Sequence, residues 1–317
     1  MLKKLKHNMI YWPLRVIWLA LSLLPLWLHH AFAWILSIFL GDILRYRNKV
    51  ITKNLTATFP EKTPQEISKI KHQFYLHFCD VFVETIKYAT LSEKNIKKHV
   101  VFKGTDIVNE ILREGQSVAM YLGHYGNWEW ITSIKKWITP DICGGQIYHP
   151  LENAVFDRLF LNVRERMGSQ CIPMTETVRW IINAQRQGKP SMIGYISDQV
   201  PTWNNIHHWL KFLNQTTPVF TGTERIARKF NHAVVYLDVI RVARGYYQCE
   251  FKLITRNPQE LPQHQLTDTF FELLEQTIRR APQYWLWSHN RWKRTYEEFS
   301  RRFSVDENGH VVERQPK

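Results

Sequence analysis

Residues 9–40 are almost continuously apolar or aromatic, interrupted in polarity only at Arg15, Ser22, His29, His30 and Ser37. A run of this length constrains the fold more than any other feature, because it needs either a lipid phase or a large core to cover it. A signal peptide has a shorter apolar region and a small-residue cleavage site. Here Asp42 and the basic cluster Arg45, Arg47 and Lys49 follow with no such site, so the segment reads as a retained anchor over residues 1–45, with the rest of the chain, residues 46–317, forming one domain. Residues 10–28 are long enough for one crossing, but Pro13, Arg15 and Pro25 interrupt them. Both flanks are basic, which places both on the cytoplasmic side. That favours a monotopic or hairpin-like insertion, with a single crossing as the alternative.

The charge distribution points the same way. The net charge is +14, and half of it lies in residues 1–53, where Lys3, Lys4, Lys6, Arg15, Arg45, Arg47, Lys49 and Lys53 face one acid, Asp42. Basic residues bordering an apolar segment suit an anionic membrane surface better than a nucleic-acid groove. An acidic protein partner is a further use for such a surface. The aromatic complement (Trp 13, Tyr 13, Phe 17) fits either a water–lipid boundary or an aromatic-rich core. The four cysteines, Cys79, Cys143, Cys171 and Cys249, form no CxxC pair, which signals neither zinc nor a disulfide framework and fits a reducing compartment.

Beyond the anchor, Thr63 with Glu66 reads as a capping box. Ile67, Ile70, Phe74, Phe78 and Val81 then recur at helical spacing and predict a long helix over 64–90. From residue 97 strands and helices alternate. Strands are expected at 117–122, 191–196, 233–242, 246–255 and 284–287, and helices at 128–137, 175–187, 222–230 and 267–280. This alternation predicts an α/β domain whose site lies at strand ends and loops.

Gly123-His124-Tyr125-Gly126-Asn127-Trp128-Glu129 follows the first of these strands. His124 and Glu129 lie about 140° apart on an ideal helix, so one continuous helix does not bring them together. With His124 on the loop and Asn127 capping the next helix, Glu129 falls in its first turn, from where its carboxylate can fold back to the imidazole. A carboxylate on one ring nitrogen fixes the tautomer and makes the other nitrogen a better base. A bare His-x4-Glu spacing is common, and an acid at a helix start is favourable in its own right. The surrounding strand and loop give the pair its weight.

The stretch Gly123 to Glu129 resembles the catalytic motif of the lipid A biosynthesis acyltransferases (lauroyl/myristoyl type), within the wider lysophospholipid and glycerolphosphate acyltransferases. The likeness extends through Asn54-Leu55…Phe59-Pro60, Arg164-Glu165-Arg166-Met167-Gly168…Ile172-Pro173, Asp198-Gln199, Thr216 to Gly222, and Tyr284 to Trp292. His149 before Pro150 departs from it, since the family often has Arg or Lys there. The resemblance implies a glycerolphosphate-acyltransferase-like mixed sheet with flanking helices behind the hydrophobic anchor. It implies His124 as general base and Glu129 as its partner, with Arg164 and Arg166 holding a phosphate or oxyanion.

Asp198 and Gln199 leave the end of a buried strand, a usual place for site residues but also for a turn. Thr221 and the following amides precede a helix and suit either anion contact or plain capping. Arg164 and Arg166 equally suit a solvated helix face. His207 and His208 have no third ligand at a suitable spacing and read as loop residues. The aromatic and basic run 284–294 reads as a lipid headgroup contact. The resulting expectation is acyl transfer from an acyl carrier protein thioester to a hydroxyl of an anionic glycolipid, a lipid A precursor, at the inner membrane, on its cytoplasmic face, with Arg164, Arg166, Asp198, Gln199, Asn127 and Thr221 as candidate substrate contacts and with no metal or organic cofactor and no nucleic-acid partner. The alternatives are a lysophospholipid or aminolipid acceptor, and a non-catalytic basic membrane-binding protein.

Overall fold

Proline divides the apolar run into two helices. The computed structural model describes residues 2–306 and 310–314, with side chains from Asn8 onward, so Lys3, Lys4 and Lys6 lie outside the described side chains. Helix α1 (Leu2–Leu23) accommodates Pro13, and α2 (Leu26–Ile38) begins after Pro25 at φ −66°, continuing as a π turn over Phe39–Ile43. Pro25 cannot donate to the preceding turn, so the helix restarts there. The carbonyls stranded at the break are claimed by helix α4 (Pro64–Tyr88), which follows α3 (Asn48–Thr58), and by the turn just after it. Lys87 Nζ donates to the Ser22 and Leu24 carbonyls, and Thr90 Oγ1 donates to that of Ser22.

The segment Leu26–Ile43 is long and apolar enough to cross a membrane, and most of it is not buried. Met9, Trp12, Val16, Ile17, Trp27, Phe32 and Ile35 also face outward. The other side of α2 is not free. Ala33 packs with Cys79 and Val83 of α4. Helix α4 has the expected cap: Thr63 Oγ1 accepts from Glu66 N, and the Glu66 carboxylate accepts from Thr63 N.

The domain proper runs α5 (Glu93–His99), β1 (Val100–Lys103), α6 (Thr105–Arg113), β2 (Val118–Leu122), β3 (Cys143–Tyr148), α7 (Ala154–Glu165), β4 (Gln170–Pro173), α8 (Thr177–Arg186) and β5 (Ser191–Ile196). It continues through β6 (His208–Phe212), β7 (Gln215–Val219), α9 (Gly222–Phe230), β8 (Ala233–Ala243), β9 (Tyr246–Thr255) and α10 (Gln265–Arg280). Helix α11 (Tyr296–Arg302), β10 (Phe303–Val305) and β11 (Val311–Glu313) follow. Seven strands form one mixed sheet in the order β1-β9-β8-β2-β5-β3-β4. All its pairs are parallel except β8 with β9.

Strand β2 is buried at every position, which is why it reads as an unbroken apolar run and not as an alternating one. Its register with β5 places Leu122 beside Ile196, and Ser197 N donates to Leu122 O just beyond the strand ends. The residues leaving these strands therefore emerge side by side.

The helix expected at 128–137 is present, as a 3-10 helix over Trp130–Trp137. Two local expectations are corrected. Residues 284–287 form no strand: a 3-10 turn ends at Tyr284, and Trp285 makes a single bridge to Tyr125. His208 opens β6 of the antiparallel β6–β7 hairpin, and its Nε2 lies 2.7 Å from Asp268 Oδ1.

Candidate active site

His124 and Asp198 each lie two residues past a strand end, on β2 and β5, so the parallel register delivers them opposite one another. Residues at the carboxyl ends of adjacent parallel strands share a crevice by construction. His124 Nδ1 stands 2.6 Å from Asp198 Oδ1, and His124 N donates to Oδ2 at 2.8 Å. Trp285 Nε1 donates to the same Oδ2 at 2.8 Å. Asp198 is 2% exposed. Burial alone would raise its pKa, but the adjacent His124 and the hydrogen bonds from His124 and Trp285 outweigh it and hold the carboxyl down at about 2. Asp198 is thus ionised at neutral pH, and an ionised carboxylate only accepts.

That acceptor assigns the Nδ1–H tautomer to neutral His124 and leaves Nε2 as the accepting nitrogen. Gln199 Nε2 lies 3.3 Å from His124 Nε2, so the amide donates to that lone pair. Trp128 packs edge-on against the imidazole, with centroids 5.4 Å apart.

The loop between these residues leaves no room to spare. A Cβ on Gly123 would meet Leu274 Cδ1 at 2.7 Å and Asp198 Oδ2 at 3.3 Å. Gly126 adopts φ +60°, and a Cβ there would meet Val239 Cγ1 at 2.7 Å. Gly126 N donates to Tyr284 O, and Leu286 N donates to His124 O, so the loop is also fixed against the C-terminal segment.

The carboxylate on the imidazole is therefore Asp198, and the expected Glu129–imidazole contact is corrected. Glu129 points to α7, where it accepts from Arg164 Nε at 2.7 Å and Nη2 at 2.6 Å. This paired contact matches the fork of the guanidinium to the two carboxylate oxygens. The helix begins at Trp130, with Glu129 and not Asn127 at its N-cap position, but Asn127 Oδ1 still accepts from Trp130 N at 3.0 Å, while its Nδ2 donates to Glu84 Oε2.

Arg166 does not join this group. Its Nη1 donates to Leu91 O, its guanidinium lies over Tyr88, and it borders a cavity of about 220 Å³ between α1 and α7 with Tyr11, Arg15 and Trp18. Thr221 serves α9 through its backbone, its carbonyl accepting from Arg225 N, and its side chain makes no cap bond. His149 lies on an exposed loop, its Nδ1 3.0 Å from Pro150 O. A larger cavity, about 540 Å³ between β6 and α10, is lined by neither His124 nor Asp198.

The tryptophans expected at a headgroup boundary are interior instead. Trp285 and Trp287 are buried, and each indole N–H has a protein acceptor, Asp198 and the Pro282 carbonyl. Trp292 donates to Thr217 Oγ1. Arg291 is fully buried, donates to Pro218 O, and its pKa is lowered to about 9 by burial, with Asp198 opposing. His289 accepts from Val200 N and is pushed down to about 4, chiefly by burial, so it is neutral at pH 7. Trp285 touches Asp198 and His289 and Arg291 lie within its electrostatic reach, a role the local sequence does not signal. Among the described residues no group of three or more His, Cys, Asp or Glu is disposed to hold a metal ion.

The model of the family described as bacterial lipid A biosynthesis acyltransferase matches residues 1–294. A lipid A biosynthesis palmitoleoyltransferase of Escherichia coli (strain K12) is 22% identical over 294 residues, covering 89% of this chain and 92% of that protein. A lipid A biosynthesis acyltransferase of Shigella flexneri matches to the same extent. The lipid A biosynthesis acyltransferase 2 of Shigella flexneri is 22% identical over 183 residues, and there the match spans 56% of each chain.

Proposed function

The chain belongs to the bacterial lipid A biosynthesis acyltransferase family, a family of acyltransferases, and on that premise we propose that it moves a fatty acyl chain from a thioester to a hydroxyl of a lipid A-type acceptor, with His124 as general base oriented by Asp198. The observation that carries the mechanism is the 2.6 Å contact between His124 Nδ1 and Asp198 Oδ1 at neighbouring strand ends.

In this reading the acceptor hydroxyl donates to His124 Nε2, and its oxygen attacks the thioester carbonyl carbon. The proton passes to Nε2, and the imidazolium is stabilised by ionised Asp198. The carbonyl oxygen becomes an oxyanion, for which the Gln199 amide serves as donor once the acceptor hydroxyl displaces it from His124 Nε2. Collapse breaks the carbon–sulfur bond, and the imidazolium returns its proton to the leaving thiolate. Glu129 takes a supporting part: by holding two donors of Arg164 it presents the remaining guanidinium edge to an anionic group of either substrate. Substrate contact by Arg166, Asn127 and Thr221 gains no support from their partners.

We assign the donor as an acyl carrier protein thioester, since an acidic carrier complements a chain of net charge +14. The basic flanks of the apolar helices support an inner-membrane site with the domain on the cytoplasmic face, and the mixed sheet accords with a glycerolphosphate-acyltransferase-like fold. The test is transfer of labelled acyl groups from the carrier protein, and separately from coenzyme A, to a lipid A precursor and to a lysophospholipid, read by thin-layer separation. A labelled lipid A product lost in His124→Ala is expected. Labelling of the lysophospholipid alone would overturn the acceptor assignment, and no labelled lipid at all would overturn the activity.

A further inference from the structure

The carboxylate of Glu84, on the inner face of α4, is completely buried and joins three separate parts of the molecule. Its Oε1 accepts from His30 Nε2 of α2 at 2.9 Å. Its Oε2 accepts from Asn127 Nδ2, in the loop after β2, at 2.7 Å and from the Tyr247 hydroxyl of β9 at 2.8 Å. The backbone carbonyl of Glu84 accepts from Trp130 Nε1 at 2.9 Å.

The neighbouring turns of α4 extend the junction. His77 Nε2 lies 3.2 Å from Gly126 O, and Arg241 Nη1 donates to His77 Nδ1. Burial pushes His77 down to about 3, with Arg241 adding to the effect, so it stays neutral with its proton on Nε2. Asp80, also fully buried, pairs with Arg241 and Arg244, and Arg244 Nη2 donates to the His30 carbonyl at 2.7 Å. Helix α2 is thus held at both the ring and the carbonyl of His30. The loop carrying His124 is held at Gly126 and Asn127 by the same face of α4.

The opposite side of α2 exposes Trp27, Phe32, Trp34 and Ile35, so its resting place depends on what solvates that side. A buried carboxylate cannot trade a lost donor for water without a desolvation cost, so a shift of His30 is felt at the donors it shares.

We propose that Glu84 is a positioning residue through which the seating of α2 in lipid sets the geometry of the His124 loop, making the enzyme more active in a bilayer than in a dispersed state. The role rests on the reading of His124 as the base. Glu84→Gln preserves volume but turns an acceptor oxygen into a donor facing donors. In the full chain, reconstituted in phosphatidylglycerol and phosphatidylethanolamine vesicles, this variant is expected to lose about 10- to 100-fold in kcat with KM within about twofold, as for a slightly misplaced base. A second readout needs no turnover: the rate at which diethyl pyrocarbonate modifies the His124 peptide, by mass spectrometry, with exposed His149 as internal reference. Glu84→Gln is expected to speed His124 modification by about threefold or more and to leave His149 unchanged.

His30→Ala and Asn127→Ala, singly and together, complete the test. Their effects on His124 modification and on kcat are expected to be non-additive by about fivefold, as for residues sharing one hydrogen-bond network. In the wild type the modification rate should differ between vesicles and detergent micelles, and His30→Ala should remove that difference. Independent effects of the two substitutions, or one His124 rate in vesicles, micelles and all variants, would overturn the proposal. Should Glu84→Gln fail to fold, the cycle and the vesicle comparison decide alone. A wild type inactive on every acceptor would refute the assigned reaction, while the modification rates would still decide the coupling.

Discussion

Replacing Asp198 by Asn tests the site most directly, because it removes charge and one acceptor while keeping shape. The carboxyl sits at about 2 against its ordinary 3.8, which corresponds to roughly 2 kcal/mol favouring the ionised, paired form in the folded state. Because the folded value is depressed, that contribution is fully present above the unfolded pKa and is lost as pH falls from about 4 towards about 2. The catalytic effect at pH 7 is larger than this stability term. An Asn whose oxygen accepts from Trp285 Nε1 or His124 N turns its amide towards Nδ1, which must then be the unprotonated nitrogen. The proton moves to Nε2, and the base is lost. The corresponding change in a serine-protease triad lowers kcat about 10,000-fold. We expect a loss of about 1,000-fold or more here, with KM for both substrates within about threefold, by steady-state acyl transfer in vesicles at pH 7. Circular dichroism should show a folded protein. If folded Asp198→Asn keeps kcat within about threefold while Glu129→Gln abolishes it, Asp198 does not orient the base and the mechanism is wrong.

Other expectations follow from the same geometry. His124→Ala should lower kcat by about 100- to 10,000-fold, and single-turnover assays with pre-bound acyl donor should show the loss in the chemical step. Arg164→Lys should impair transfer because lysine cannot make the paired contact with Glu129, whereas Arg166→Lys should be nearly silent; steady-state kinetics at two salt concentrations compares them. Gly123→Ala should destabilise the fold by about 1–3 kcal/mol in denaturant unfolding, since its Cβ would overlap Leu274. Deleting residues 1–45 should yield poorly folded protein and not merely a soluble one, because it strips His30 from Glu84 and Ala33 from Cys79 and Val83; limited proteolysis reads the outcome.

Much of the domain was legible because its elements obey local rules. Gly222–Phe230 and Tyr246–Thr255 carry clear helical and strand patterns between turn residues, and both coincide with the expected boundaries. Strand β3 gave no signal, since Gly144 and Gly145 stand where β-formers would be. Asp198 and Gln199 were recognised as leaving a strand end, but the pairing of residue 124 with residue 198 is set by strand order, which local pattern does not encode. Glu129 illustrates the converse. Its proximity to His124 in sequence suggests a pair, while the turn at 128–129, just ahead of the 3-10 helix, directs it to Arg164. The aromatic run after residue 284 resembled an interfacial belt because composition does not distinguish a buried indole with an internal acceptor from one at a headgroup.

The closure of Asp198 by Trp285 also bears on the order in which activity arises during synthesis. Chains emerge from the ribosome amino end first, and their early segments fold or insert while later ones are still being made. The apolar helices leave first, His124 and Asp198 follow, and the indole that completes the carboxylate's set of donors comes 87 residues after Asp198. Until that segment docks, the growing chain holds His124 and Asp198 without the third donor and without the Tyr284 and Leu286 backbone bonds that fix the loop. On the proposed reading competence is therefore acquired late, and a nascent chain halted before residue 285 is expected to be silent.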